Sequence, residues 1–322
     1  MNALKNLPLL IKREYWEHRG GFLWAPFWTC AVILLLTLLG ILTAEVLGRR
    51  NGVHIGVSLD GLQQSIDAND LITAGNALDM VQLMFGAIVC IVLFFVLFFY
   101  LLGALYDDRR DRSVLFWKSL PVTDTATVAS KALSALFVAP LISFAIATAA
   151  YLVFLVLMTL WMALHGINML PAIGAAHPFA MFARLLLTIP VDAMWAIPTV
   201  GWLLFWSAFA RSKPFMWAVL LPLLAVFLNY WLGVLGLPNV DSLVTLKQVV
   251  GRLLLGIMPG GWMGDSPLAL RGFNDANVLG ALAPERVLSA LGRASTWVGA
   301  AAGIALMAGA TWLRGRRIEV NA

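Results

Sequence analysis

The sequence predicts an all-α polytopic membrane protein with six transmembrane helices. Three observations carry that expectation. Of 322 residues, 61% are hydrophobic and only 12% charged, with a mean hydropathy of +0.86. A water-soluble domain needs more charge than this to cover its surface. The apolar residues fall in long blocks, and a bilayer needs about 20 consecutive apolar residues per helix. The charged segments between blocks share Lys and Arg unequally, as expected of a chain with a fixed orientation.

The first 21 residues read MNALKNLPLLIKREYWEHRGG. Leu4, Leu7, Ile11 and Tyr15 fall on one helical face, and Lys5, Lys12 and Arg19 recur on another. Pro8 suits a first turn behind an Asn6 cap. This predicts an amphipathic helix in the membrane interface, with Tyr15 and Trp16 at headgroup depth. Span one is expected over 22–47, behind a charged lead, so the chain shows no cleavable signal peptide.

Residues 48–79 form an outer segment with Asp60, Asp67, Asp70 and Asp79, in which 62–79 is a candidate short helix. Span two is 80–106. Span three, 124–164, is too long for the bilayer alone. Span four, 182–210, is expected to be interrupted by Pro190 and Pro198, and span five is 215–236. Residues 237–293 form a second outer segment before span six at 294–313. Within it Leu246, Val249, Val250, Leu253, Leu254 and Ile257 mark one helical face, with Lys247, Gln248 and Arg252 opposite, and Pro259-Gly260-Gly261 ends the helix. A second helical piece covers 284–293. Such pieces are too polar to span and read as interfacial or re-entrant helices.

With both termini on the cytoplasmic side, that side holds Lys5, Lys12, Arg13, Arg19, Arg109, Arg110, Arg112, Lys118, Lys131, Arg211, Lys213, Arg314, Arg316 and Arg317, which is 14 of the 22 Lys and Arg. The longer outer segments hold the rest. The bias favours six spans with both ends inside.

The densest polar stretch lies between spans two and three: LYDDRRDRSVLFWKSLPVTDTATVASK, 105–131. Asp108 and Arg112 are spaced as a helical ion pair. Pro121 stops that helix, and Asp124 is a candidate cap for the next. Val114 to Trp117 is an apolar run that a merely solvated loop does not need.

This arrangement resembles the ABC-2-type permeases, the membrane subunits of one class of ATP-driven exporters. The matching residues are Asp107 to Arg112, Val114 to Leu120, Pro121, Val122 and Lys131, with Arg13-Glu14 matching an Arg-Glu pair in the family's N-terminal elbow helix. The family usually carries Glu-Arg and then Gly-Thr here; this chain has Asp108-Arg109 and Arg112-Ser113. The resemblance implies an elbow helix at 1–21, a six-span domain at 22–322, and a cytoplasmic coupling helix in the loop 107–123. It implies docking of an ATPase on Arg109, Arg110, Arg112, Phe116, Trp117 and Lys118, with Arg13, Glu14, Arg211 and Lys213 as further contacts. The expected assembly is two ATPase copies with two permease subunits, as homodimer or heterodimer, in a bacterial inner membrane amid lipid, with no nucleic acid. The Glu-Ala-Ala-type loop of many ABC importers is missing, which favours export.

The chain has no G-x-x-x-x-G-K-[ST] loop, so it is not expected to be an enzyme or to bind a cofactor itself. ATP and Mg are expected on the separate ATPase. The alternative is a non-transporting, ATPase-driven scaffold that transmits force. His18, His54, His165 and His177 are dispersed without ligand spacing. Cys30 and Cys90 lie inside apolar runs and read as packed thiols.

Asp192 is the sharpest intramembrane residue, about 15 Å into span four at about 1.5 Å per residue. A carboxylate there costs about 2.5–3.5 kcal/mol or more unless protonated, paired or hydrated. Two readings stay open: Asp192 lines a wet substrate path, or it hydrogen-bonds another span while protonated. Asn229 in span five is its candidate partner.

Overall fold

The structure, a computed structural model, describes residues 7–50, 68–111, 122–265, 280 and 282–316. Among them no strand occurs, and six helices are long and apolar enough to cross a membrane: Gly20–Gly48, Asp70–Arg110, Asp124–Leu164, Leu170–Phe209, Pro214–Val234 and Ala294–Arg316. The chain is a multi-pass helical membrane protein.

Helix α1 (Leu7–Glu17) leads through a wide turn, Gly20–Trp24, into α2 (Ala25–Arg50), which is span one. Span two is α3 (Ala68–Gly103), followed by the short α4 (Tyr106–Arg110). Span three is α5 (Asp124–Leu133) and α6 (Ala139–Leu164), joined by another wide turn at Ser134–Val138. After the short α7 (Leu170–Ala175) comes α8 (Pro178–Phe209), span four. Span five is α9 (Pro214–Val234). Short pieces α10 (Ser242–Thr245) and α11 (Pro284–Ser289) precede α12 (Ala294–Arg316), span six.

Several boundaries differ from the sequence reading. The expected separate helix before span two is, over its described residues, continuous with α3, which has 36 residues and so runs about 54 Å at about 1.5 Å per residue. That exceeds a hydrocarbon thickness of about 30 Å. Thr123, not Asp124, caps span three: its extended backbone lets the hydroxyl accept the Ala126 N–H at 3.2 Å. Asp124 is thereby the first helical residue, free to pair elsewhere. Span four runs unbroken through Pro190 and Pro198.

The core forms where Leu93, Leu97 and Leu101 of α3, one turn apart, and Leu105 in the turn beyond it cluster with Val200, Leu203 and Leu204 of α8. Phe22, Ala135 and Ala139 close it. The most extensive helix pairing is α8 against α12. Glycines allow it: a Cβ on Gly201 would strike the Gly303 backbone, and one on Gly303 would strike that of Ile197. Lipid tails are as apolar as the helices, so such close backbone packing replaces a hydrophobic drive. Spans one and five bury little of their surface and leave Leu35, Leu36, Leu42, Leu220 and Phe227 exposed.

Candidate functional site

One end of the bundle, the proximal end, gathers charge into its interior. Glu14 of α1 is fully buried, and so, nearly, is Lys131 of α5. Lys131 Nζ lies 3.4 Å from Glu14 Oε1 and 3.8 Å from Asp108 Oδ2. Arg314, near the end of α12, reaches Asp108 Oδ2 at 3.0 Å through Nη1 and Asp124 Oδ1 at 2.9 Å through Nε. Arg13 pairs with Glu14, and the Tyr100 hydroxyl donates to Glu14 Oε2 at 2.9 Å. Three acids, Glu14, Asp108 and Asp124, thus meet three bases, Arg13, Lys131 and Arg314. The set joins α1, α4, α5 and α12. Burial pushes the Glu14 carboxyl up, but Lys131 and the hydrogen bonds from Arg13 and Tyr100 outweigh it and hold the group below its ordinary value of 4.5. Glu14, Glu17 and His18 also stand close enough to suggest a metal site. Two cations and a phenol already engage Glu14, so the cluster reads as an ion-pair network.

Next to it, Arg109 ties span two to the end of span four. Its Nη2 donates to the carbonyls of Ser207 at 2.6 Å and Ala210 at 3.1 Å, where a helix C-terminus favours a cation. The Ser207 hydroxyl accepts the N–H groups of Leu105 at 2.9 Å and Tyr106 at 3.0 Å.

This geometry redraws the expected docking set. Arg109 and Glu14 are buried and held by interior partners, so neither is offered at the surface. The buried stripe of α1 runs through Leu10 and Glu14, with Tyr15 only partly covered, because Lys131 and Tyr100 draw Glu14 inward. Arg13 is largely covered, with 22% of its side chain exposed. Arg110, Arg211 and Lys213 are exposed at the proximal end. Lys213 has φ 48°, a left-handed conformation before Pro214 that costs of order 1–3 kcal/mol in a non-glycine residue. Arg112, Phe116, Trp117 and Lys118 lie outside the described residues.

Asp192 and Asn229 do not meet. Asn229 hydrogen-bonds both backbone groups of Val240, at 2.8 and 3.1 Å. Asp192, midway along α8, accepts the Gly260 N–H at 2.7 Å. Gly260 has φ +80°, a conformation glycine adopts freely, and this aims its N–H at the carboxyl. The segment carrying Gly260 folds back onto span four. Its Arg252 carbonyl accepts the Thr199 hydroxyl at 2.7 Å, and a Cβ on Gly256 would collide with Thr199. Arg252, expected on the polar face, is instead buried, with its guanidinium 3.6 Å from the Trp195 ring centroid and an N–H on the Ser295 carbonyl. A stacked, carbonyl-bonded guanidinium tolerates such burial. The expected helical face at 246–257 is only partly helical, with Leu254 and Ile257 buried.

At the opposite, distal end, sequence reasoning missed two carboxylate–imidazole pairs. Buried Asp79 accepts the His177 N–H at 2.8 Å and faces its Nδ1 at 3.3 Å. Glu45 Oε2 lies 3.0 Å from His165 Nε2. Each histidine is far in sequence from its acid, so no spacing announced it.

No family model, curated protein or solved structure matches this chain.

Proposed function

We propose that this chain is the permease subunit of an ABC-2-type exporter, moved by a separate ATPase that docks at the proximal end. The observation that carries the reading is the buried ion network. It fastens both roots of the 107–123 loop, at Asp108 and Asp124, to α1, to Lys131 of span three and to the tip of span six. A load on that loop therefore reaches spans two, three and six together, because separating any one of them strands a buried charge. Arg109 extends the same linkage to span four.

The surface supports the same assignment. Lys12, Arg19, Arg110, Arg211, Lys213 and Arg316 are all exposed, on or next to the elements that carry the network and the Arg109 link, with Arg110 paired to Asp107 and Asp111. Such a cationic face matches the cytoplasmic side of an inner membrane. It also suits electrostatic attraction of a partner, with Phe116 and Trp117 as apolar anchors. Rocking of the spans between two rigid arrangements would then move the substrate outward. A second permease copy would complete the path, beside the little-buried spans one and five.

The test is Trp117→Ala in the complex reconstituted with its ATPase. Insertion and assembly of the spans should persist, while substrate-stimulated ATP hydrolysis and transport fall together by about tenfold, as for loss of an interface anchor. Stimulated hydrolysis and transport both at the wild-type level would count against the assignment.

A further inference from the structure

A cavity of about 270 Å³ lies among spans two, three and four and the folded-back segment. Asp192 is the one carboxylate among its described lining residues. The walls are otherwise close to wholly apolar, built from Leu83, Ile91, Phe144, Leu185 and Met258. Asp192 is half-buried, and it shares this lining with the Gly260 that donates to it. The Thr188 hydroxyl and the Trp262 indole also approach it, but no Lys or Arg among the described residues pairs with it. A carboxyl so placed must stay neutral or find a cation. A hard metal ion asks for six or more oxygen ligands, which this lining does not offer. An organic ammonium asks for one carboxylate, and its hydrocarbon body gains from apolar walls. A phenyl ring and a thioether are well suited to such a body. The volume is near the lower end for small-molecule sites, so the ligand is small.

We propose that this cavity binds a small lipophilic primary amine, with its ammonium on Asp192 and its apolar body between spans two and four. Gly86 lines the cavity, and a Cβ added there would meet nothing within 4 Å, so the wall is open where the body would lie. The inference stands apart from the export reading, because binding needs neither ATPase nor transport.

The experiment is calorimetric titration of the purified full-length chain in detergent with 2-phenylethylamine, and with 2-phenylethanol as its uncharged counterpart. Wild type should bind the amine more tightly than the alcohol. Asp192→Asn should weaken the amine roughly tenfold to hundredfold and leave the alcohol unchanged. Gly86→Leu should exclude both ligands while retaining the wild-type melting temperature, since its side chain enters open space. In a Cys30→Ser background the amine should also slow modification of Cys90, which lines the same cavity, by methyl methanethiosulfonate. Equal binding of amine and alcohol, amine affinity unaltered by Asp192→Asn in a folded protein, or no amine binding to folded wild type would each overturn the proposal.

Discussion

The two ends of this bundle solve the same problem differently. Both place carboxylates among apolar helices. At the proximal end Glu14, Asp108 and Asp124 share Arg13, Lys131 and Arg314, and the cations of the two long links, Lys131 and Arg314, are nearly inaccessible. At the distal end each acid has one histidine, and more than half of the His177 side chain is exposed. A buried network holds its members together, because removing one charge leaves another stranded in a poor solvent. A pair with one solvated partner can separate and rehydrate. The proximal end is therefore built to move as one piece, and the distal end to adjust. That asymmetry is what a motor acting on one face of a membrane protein requires.

The largest effect should come from Lys131→Ala. It removes the cation shared by Glu14 and Asp108, leaving Glu14 to Arg13 and Tyr100 and Asp108 to Arg314, and should destabilise the fold by about 3 kcal/mol, read from reversible unfolding in mixed micelles. Lys131→Met combined with Glu14→Gln should recover much of that loss, since the hydrophobic and neutral replacements leave no stranded charge at that pair. If Lys131→Ala behaves like an exposed lysine substitution, the contrast between the ends disappears.

Acid should separate the ends next. The Glu14 carboxyl lies below its ordinary value of 4.5 in the fold, so the unfolded chain takes up that proton first. Its stabilisation is complete above about pH 4.5 and drains away as pH falls through the folded value. Pepsin cleavage within α1 should accelerate in that window, and Glu14→Gln should flatten the response. A smaller effect, about 1 kcal/mol, is expected from Asp79→Asn, because His177 can turn to water. Glu45→Gln should fall within about 0–1 kcal/mol by the same unfolding measurement, since both partners of that pair are partly exposed.

The sequence made the spans legible because bilayer crossing is written in local hydropathy. Spans three, five and six stand close to their expected bounds. The start of span two was not legible, since α3 begins at Ala68 in polar sequence that hydropathy reads as loop. The network was half visible. Lys131 follows a helix start and leads into an apolar run, a position where a cation needs a partner. The partner, Glu14, is 117 residues away, and helical spacing favoured Tyr15 as the inward face. The Asp192 contact left no signature at all, because its donor is a main-chain N–H. Arg252 misled for a related reason: stacking on Trp195 is a tertiary event that a helical wheel does not contain.

The most direct test of the account places a photoreactive maleimide at one end or the other in native membranes, in a Cys30→Ser, Cys90→Ser background. Arg110→Cys marks the proximal end and Asp70→Cys the distal end, and both positions are exposed. Illumination should yield an adduct with a nucleotide-binding polypeptide from Arg110→Cys and none from Asp70→Cys. An adduct of that kind from the distal position, or its absence from the proximal one in a folded, membrane-inserted chain, would contradict the claim that a separate motor grips this protein at its charged end.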